Sequence, residues 1–217
     1  MNPTAISRRQ MLQGSLGTIA LVATSPLLSE TRGATPSQTE GPFFPTRDQA
    51  DKDIDMTLIE GHAEHALGEV VEISGQVLAE DGTPIANALV DVWQANSHGR
   101  YAHERDTNTA PLDPNFQGWA QFTTDAQGRY RVKTIKPGAY PVDKGWSRPP
   151  HIHFKVALRG YHELTTQMYF AGDSLNDIDR LLQALSADER SRVVVAFSAA
   201  AEKSAPHGQF DLVLRKV

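Results

Sequence analysis

Two histidines one residue apart form the local pattern in this chain that is best suited to metal chemistry. His151 and His153 flank Ile152, and Pro149 and Pro150 come directly before them. On a β-strand, side chains two residues apart point to the same face, and their Cα atoms lie roughly 6.5–7 Å apart. Two imidazoles so placed can share one metal ion, while the prolines keep the preceding backbone extended. Alone, the pattern is more often a surface pair or a hydrogen-bonded pair than a pair of ligands.

Two tyrosines lie in loop contexts that could also serve a metal. Tyr101 follows a Gly-Arg pair shortly after a predicted strand, and Tyr140 lies in a predicted turn after Lys-Pro-Gly-Ala. For either alone, the usual interpretation is a half-buried ring with a hydrogen-bonded hydroxyl. The chain has no cysteine, which excludes disulfides, zinc–thiolate sites, iron–sulfur clusters and cysteine nucleophiles. Any metal site must use His, Tyr, Asp and Glu, which favour harder metals.

The composition is that of an ordinary globular protein. The 217 residues suffice for one sizeable domain with a buried core, and 40% are hydrophobic and 22% charged. The formal net charge is −5. This acidic balance argues against a nucleic-acid partner, which requires a basic surface.

Short alternating segments predict a chain built mainly of β-strands. The clearest begins at residue 70, where Val71, Ile73 and Val77 alternate with polar residues. Further strands are predicted at 88–95, 119–124, 129–135, 151–158, 163–170 and 210–217. Helical spacing predicts one helix around residues 178–185, and a capping box at 186–189 predicts a second that continues to residue 197.

This arrangement of strands and turns predicts the fold class. Many short strands with turn signals and little helix indicate an all-β protein with a β-sandwich core and one or two short helices. Residues 34–69 are rich in Pro, Gly, Asp and Thr and are predicted to form an extended N-terminal arm. Residues 70–217 are predicted to form the sandwich domain, and no second domain is expected.

The N-terminal residues 1–33 are predicted to be a twin-arginine export signal. Arg8 and Arg9 precede a short apolar stretch at residues 16–28, which Pro26 interrupts. That stretch is poorly suited to spanning a bilayer, so no stable membrane anchor is expected. The expected destination is periplasmic or extracellular, where a chain without cysteine is at no disadvantage.

Several sequence strings, taken together and in order, resemble those of intradiol ring-cleavage dioxygenases, especially the protocatechuate 3,4-dioxygenase branch. The strings are TEGPF at 39–43, VWQAN at 92–96 with GRY at 99–101, LDPNF at 112–116, TIKPG at 134–138 with YP at 140–141, RP at 148–149 with HIHF at 151–154, and TQMYF at 166–170. They span about residues 37–173, nearly the whole predicted core.

The resemblance implies a site and a reaction. Its metal is non-haem Fe(III), and its ligands are Tyr101, Tyr140, His151 and His153. Anionic phenolate oxygens suit this hard cation and offset its charge. The implied substrates are a catechol-type aromatic and O₂, and the product is a muconate-type diacid. Tyr140 is the ligand expected to yield to the substrate and to take up one of its protons.

Two further residues acquire expected roles from the resemblance. Arg148 is expected to stabilise negative charge on the ring, and Gln167 to hydrogen-bond the reacting substrate. The loop from Tyr140 to His151 is shorter than in the protocatechuate enzymes, and Val142 stands where a tryptophan is expected. The identity of the catechol is therefore open.

Two rival interpretations remain. The strand pattern alone also fits a non-enzymatic, exported, transthyretin-like β-sandwich that acts as a binding module. A copper or zinc enzyme on the same scaffold is the other rival, although three-histidine sites are more usual for those metals. For the dioxygenase, a homo-oligomer is expected, since only one kind of chain is in view.

Overall fold

The computed structural model describes residues 32–199 and 204–217. The predicted export signal therefore lies almost entirely outside the described residues. Within the described part, two sheets and a small hairpin account for the strands. No helix in these residues is both long and apolar enough to cross a membrane.

The first sheet is built around the longest strand, β1 (Val70–Ala79). β4 (Arg129–Ile135) pairs with β1 in antiparallel fashion along most of its length. On its other edge, β1 pairs in parallel first with β10 (His207–Gln209) and then with β11 (Leu212–Leu214). The alternation predicted for β1 is confirmed, since every second residue from Val71 to Val77 is buried.

The single strand predicted at 210–217 is wrong in its extent, because the chain forms two short strands with a break at Phe210. The Phe210 amide donates to the Ser74 carbonyl at 2.9 Å, and the Phe210 carbonyl accepts the Tyr130 hydroxyl. This carbonyl approaches β1 so closely that a Cβ on Gly75 would overlap it. Only glycine tolerates such an approach.

The second sheet has the order β3-β2-β7-β8-β9. Its strands are β2 (Leu89–Trp93), β3 (Trp119–Thr123), β7 (His151–Ala157), β8 (Leu164–Phe170) and β9 (Val194–Val195). Only β9 runs parallel to its neighbour. In register across three strands, Trp93 lies opposite His153, and His153 lies opposite Gln167.

The two sheets pack against each other through one hydrophobic core, as the β-sandwich prediction requires. Its buried side chains include Val71, Ile73, Val77, Val90, Val92, Val132, Ile152, Phe154, Val156, Met168 and Leu212. Because Ile152 and Phe154 point into this core, His151 and His153 must project from the opposite face of the second sheet. A smaller aromatic cluster of Trp93, Tyr101 and Trp119 covers that outer face.

A hairpin that the sequence did not predict connects the sheets near the histidines. β5 (Tyr140–Asp143) pairs with β6 (Trp146–Arg148), and the register puts Tyr140 opposite Arg148. Tyr140 was expected in a turn. It instead begins a strand, because Gly145 with φ +85° reverses the chain a few residues later.

The helices are shorter than predicted. A 3₁₀ turn spans Ser174–Asp177, α1 spans Arg180–Gln183, and α2 spans Ala187–Ser191. The capping box that opens α2 is confirmed. The continuation of this helix to residue 197 is wrong, because Val194–Val195 pairs with β8 instead. β-branched valines fit a half-buried sheet edge better than a helix.

Within residues 34–69 the chain forms turns and an isolated bridge at Asp55, without a strand of its own. Its first part lies on β8. The Gln38 amide donates to the Thr165 carbonyl at 2.8 Å, and the Thr166 hydroxyl donates to the Pro36 carbonyl at 2.8 Å. This stretch is thereby held along the edge of β8, and the residues that follow it bring Gly41 close to the His153 ring.

Candidate metal centre and cavity

Four side chains singled out from the sequence converge on the outer face of the second sheet. The Tyr101 hydroxyl lies 3.5 Å from His151 Nε2, and the Tyr140 hydroxyl lies 3.4 Å from the same nitrogen. The rings of His151 and His153 are 5.0 Å apart between centroids. Two oxygens and two imidazoles are therefore gathered from one strand, a loop and a hairpin.

Strand β7 fixes the orientation of both histidines. His151 Nδ1 is 2.7 Å from the Pro149 carbonyl, so this nitrogen carries the proton and Nε2 presents its lone pair to the two hydroxyls. The ring of His153 stacks on Trp93 at 4.7 Å with an interplanar angle of 14°. The backbone bond from the first histidine resembles the outer contacts that orient metal-bound imidazoles.

A loop after β2 delivers Tyr101. The Asn96 side-chain oxygen accepts hydrogen bonds from the backbone amides of His98 and Arg100, which makes the turn compact. The Tyr101 amide donates to Asp106 at 2.7 Å, and its ring packs 4.6 Å from that of Phe43 in the arm. The ring is consequently buried, with its hydroxyl directed at His151.

Burial dominates the electrostatics of these four groups. It raises the pKa of Tyr101 well above its ordinary value, and a negative charge on Tyr140 would raise this pKa further. Burial also raises the pKa of Tyr140, although the positive charge of Arg148 opposes the effect. Burial and Arg148 together lower the pKa of His151 well below its usual range and that of His153 to about 3. In the metal-free protein the two phenols therefore stay protonated at neutral pH, and both imidazoles stay neutral.

These protonation states fit a metal site. Neutral imidazoles are the form that binds metals, and phenols give up their protons to a strongly charged cation. His153 Nδ1 is buried without a hydrogen-bond partner in the described structure. No group of three or more His, Cys, Asp or Glu side chains in residues 32–199 and 204–217 could hold a metal ion.

A cavity of about 590 Å³ opens beside the four residues. Tyr140, His153 and Arg148 form part of its wall, residues 39–43 of the arm and 106–109 of the Tyr101 loop form other parts, and Leu181 of α1 closes one side. This volume is typical of small-molecule sites.

Arg148 and Gln167, the two remaining predicted residues, contact each other. Arg148 Nη2 donates to Gln167 Oε1 at 2.7 Å and to the Tyr169 hydroxyl at 3.0 Å. The Gln167 amide nitrogen donates to the Thr39 carbonyl at 2.8 Å. Arg148 lines the cavity, whereas Gln167 is fully buried behind it. The structure therefore brings Gln167 to the arginine and to the arm rather than to the cavity wall.

Three residues of this site were missed by reasoning from sequence. Trp93 supports His153, Tyr169 binds Arg148, and Asp179 accepts a hydrogen bond from Arg148 Nε at 2.6 Å. The first two could have been found, because alternation puts Trp93 on one face of β2 and puts Tyr169 on the same face of β8 as Gln167. Nothing local distinguishes Asp179 from any other helix-capping residue.

Comparison with known proteins decides the family. The family profile described as "Dioxygenase" matches residues 39–216. A protocatechuate 3,4-dioxygenase beta chain from Burkholderia cepacia is 44% identical over 180 residues, which are 80% of this chain and 76% of that protein. The chain belongs to the intradiol ring-cleavage dioxygenase family.

Other members of the intradiol family agree with this assignment. Catechol 1,2-dioxygenase 2 from Acinetobacter lwoffii is 32% identical over 158 residues, covering 65% of this chain and 53% of that protein. The crystal structure of a 3-chlorocatechol 1,2-dioxygenase from Rhodococcus opacus 1CP aligns with a TM-score of 0.68 at 26% identity, covering 87% of this chain and 76% of that chain. The β-sandwich fold predicted from the sequence is thus confirmed as the intradiol dioxygenase fold.

Proposed function

We propose that this protein is a non-haem Fe(III) enzyme that cleaves a catechol-type aromatic ring between its two hydroxyl-bearing carbons. The bond between these carbons breaks, and each carbon gains one oxygen atom from O₂ to become a carboxyl group. The ring supplies the electrons, so no external reductant is needed. The product is a cis,cis-muconate-type diacid.

The observation that carries the proposal is the convergence of two tyrosine hydroxyls and a lone-pair-bearing imidazole nitrogen within 3.5 Å. Tyr101, Tyr140, His151 and His153 would hold the metal. Two phenolates would offset two of the three charges of Fe(III), which matters in a buried site where uncompensated charge is costly. When bound, ferric iron supplies the Lewis acidity and the redox chemistry that activate a catecholate toward O₂.

The protein's own residues perform the other tasks. Tyr140 is less buried than Tyr101 and borders the cavity, so its oxygen is the natural acceptor for a substrate proton. Arg148 presents a fixed positive charge at the cavity wall, where it would stabilise negative charge that develops on the ring. Gln167 supports that arginine from behind.

The test begins with a visible spectrum of the purified protein in air. A tyrosinate-to-iron charge-transfer band is expected, with a shift when catechol is added without oxygen and a recovery when oxygen is admitted. A protein that stays colourless after ferric reconstitution would contradict the proposal. It would instead favour the non-enzymatic β-sandwich binding module.

Substitutions at the ligands provide the second test. Tyr101→Phe, His151→Ala and His153→Ala are each expected to lose iron and ring-cleavage activity together, measured by metal analysis and product formation. Tyr161→Phe is the matched control, because Tyr161 lies at an isolated bridge beside Lys216 on another part of the surface. Full iron content and turnover in all three ligand variants would refute the site. Activity restored by copper or zinc alone would favour the other rival.

Two further proposals concern the setting of this activity. Residues 1–33 would direct export by the twin-arginine pathway to the periplasm or beyond, and Arg8→Lys with Arg9→Lys should keep the protein in the cytoplasm. A homo-oligomer is proposed as the working assembly. Sedimentation of the purified single chain tests this, and a strictly monomeric active enzyme would contradict it.

A further inference from the structure

We propose that Asp179 is a positioning residue that holds the Arg148 guanidinium in the orientation in which it faces the catalytic cavity. The inference rests on the proposed function for its catalytic consequence. It assigns a role to a residue that lies outside all the matched sequence strings. Asp179 precedes α1 and is 31 residues from Arg148 along the chain.

The geometry of the carboxylate divides its two oxygens between two tasks. Oδ1 accepts the backbone amides of Leu181 and Leu182 at 3.1 and 2.8 Å, which caps α1. Oδ2 accepts Arg148 Nε at 2.6 Å. The helix cap therefore locks the carboxylate in place, and the carboxylate locks the guanidinium.

Both side chains are almost fully buried. Asp179 is 0% exposed and Arg148 is 4% exposed. A buried ion pair contributes little net stability, because desolvation offsets most of the attraction, and apolar residues of similar volume often do as well. A contribution to folding stability therefore does not explain why this ion pair lies at the wall of a cavity.

The remaining contacts of Arg148 determine its plane. Nη2 bonds Gln167 and the Tyr169 hydroxyl, and that hydroxyl donates to Gln38 Oε1 in the arm at 2.9 Å. With Nε held by Asp179, the guanidinium is fixed along one edge and at one end. The same arginine lies opposite Tyr140, one of the proposed iron ligands, in the β5–β6 hairpin. Asp179 thus sets how the one basic side chain of the described cavity wall meets the reacting ring.

The experiment compares Asp179→Asn with Asp173→Asn. Asparagine keeps an oxygen that can cap α1. Its NH₂ group then faces Arg148, and it has no negative charge to attract the guanidinium. Asp173 caps the neighbouring 3₁₀ turn by accepting the Leu175 amide at 3.0 Å, and this contact is separate from Arg148. It is therefore a matched Asp-to-Asn change at a helix cap.

The expected catalytic result is a selective loss. Asp179→Asn should retain iron and the anaerobic catechol-induced spectral shift, while kcat falls by about 10-fold or more, as outer contacts of such sites typically cost. Asp173→Asn should keep full kcat. Adding Asp179→Asn to Arg148→Gln should cause no further loss, because both changes remove the same interaction. Additive losses, or equal losses at Asp173 and Asp179, would overturn the inference.

A readout that needs no activity separates this inference from the proposed function. In metal-free protein, the Arg148 Nε–H nuclear magnetic resonance signal should be resolved and slow to exchange. In Asp179→Asn this proton should exchange rapidly with solvent and its chemical shift should change. In Asp173→Asn both the exchange rate and the chemical shift should stay unchanged. Should the asparagine variant fail to fold, Asp179→Ser retains a good cap without a group long enough to reach Arg148. An unchanged Arg148 signal in the folded variant rejects the positioning role, even if the protein proves to be no dioxygenase.

Discussion

At the scale of single residues, His151 shows how a neutral backbone contact can hold an imidazole in the tautomer that suits metal binding. The Pro149 carbonyl fixes the proton on Nδ1, so that the lone pair of Nε2 faces two hydroxyls. Because the imidazole is buried, a charged form would be costly there, and its pKa is lowered accordingly. The site is thus preorganised in the protonation state that binds metal.

The two tyrosines are expected to differ in their importance for iron retention. Tyr101 is buried and held by its loop, whereas Tyr140 is half-buried at the start of a hairpin and borders the cavity. Tyr101→Phe should therefore lower iron affinity by more than about 10-fold, and Tyr140→Phe should lower it less while abolishing most turnover. Iron titration followed by single-turnover kinetics measures both quantities. Greater iron loss in Tyr140→Phe than in Tyr101→Phe would reverse the assignment.

At the scale of elements, alternation along β7 directs one set of side chains into the core and the other set toward the candidate site. Its odd-numbered histidines face the site, and Ile152 between them is fully buried in the core between the sheets. Ile152→Val should reduce the free energy of unfolding by about 0.5–1.5 kcal/mol, the usual cost of one buried methylene group. Iron content should be unchanged. Urea unfolding and metal analysis on the same sample test the prediction, and iron loss at unchanged stability would contradict it.

Asp55 joins the arm to β4 and should make this junction sensitive to acid. Partial burial raises the pKa of its carboxyl, but hydrogen bonds from Thr57 and Lys133 outweigh this and leave the pKa below its ordinary value. The carboxylate therefore contributes stability fully above about pH 3.9, the unfolded value, and this contribution is lost as the pH falls through the lower folded value.

The matching variant is Asp55→Asn. Its urea midpoint should lie below that of the wild type at pH 7, and the difference should shrink toward pH 3. Asp177→Asn, at an exposed position in the 3₁₀ turn, provides the control and should track the wild type. If the difference between Asp55→Asn and the wild type stays constant from pH 7 to pH 3, the predicted pH-dependent contribution of the Asp55 carboxylate to stability is excluded.

At the scale of the whole molecule, arm, loop and hairpin together bring three carboxylates to the cavity wall, those of Glu40, Asp106 and Asp143. Glu40 pairs with Lys155 and Asp143 with Arg180, which leaves Asp106 as the carboxylate without an ion pair in the described lining, and Arg148 is the basic side chain that this lining contains. That arginine is already paired with the buried Asp179. A substrate carboxylate would therefore add an anion to a wall without an unpaired cation among its described residues.

Given the proposed function, uncharged catechols should be preferred over carboxylated ones such as protocatechuate. One extra charge about 10 Å from the Asp106 carboxylate costs about 1.7 kcal/mol at an effective dielectric constant near 20, so kcat/KM should differ by about 10-fold. Higher ionic strength should narrow the gap. Val142→Lys should narrow it too, because Val142 is 49% exposed and lines the cavity. Equal kcat/KM for both substrates at low salt would rule out this selectivity.

The sequence by itself determined the class of fold, most strands and four candidate ligands. Strand alternation is a local property, so the common face of His151 and His153 followed from their spacing alone. The order of the matched strings then indicated the family, and the absence of cysteine excluded thiolate donors. The capping box at Ser186 was likewise legible, because both of its partners lie within four residues.

Only the tertiary structure decided how these pieces act on one another. Val194 and Val195 join β8 rather than continue a helix, because the sheet edge buries them. Tyr140 faces Arg148 across a hairpin, and the short stretch of sequence around Tyr140 does not predict this hairpin. The pairing of Arg148 with Asp179, and that of Trp93 with His153, joins residues more than 30 positions apart. Such contacts depend on how sheets, arm and helix pack together, and no local spacing along the chain encodes them.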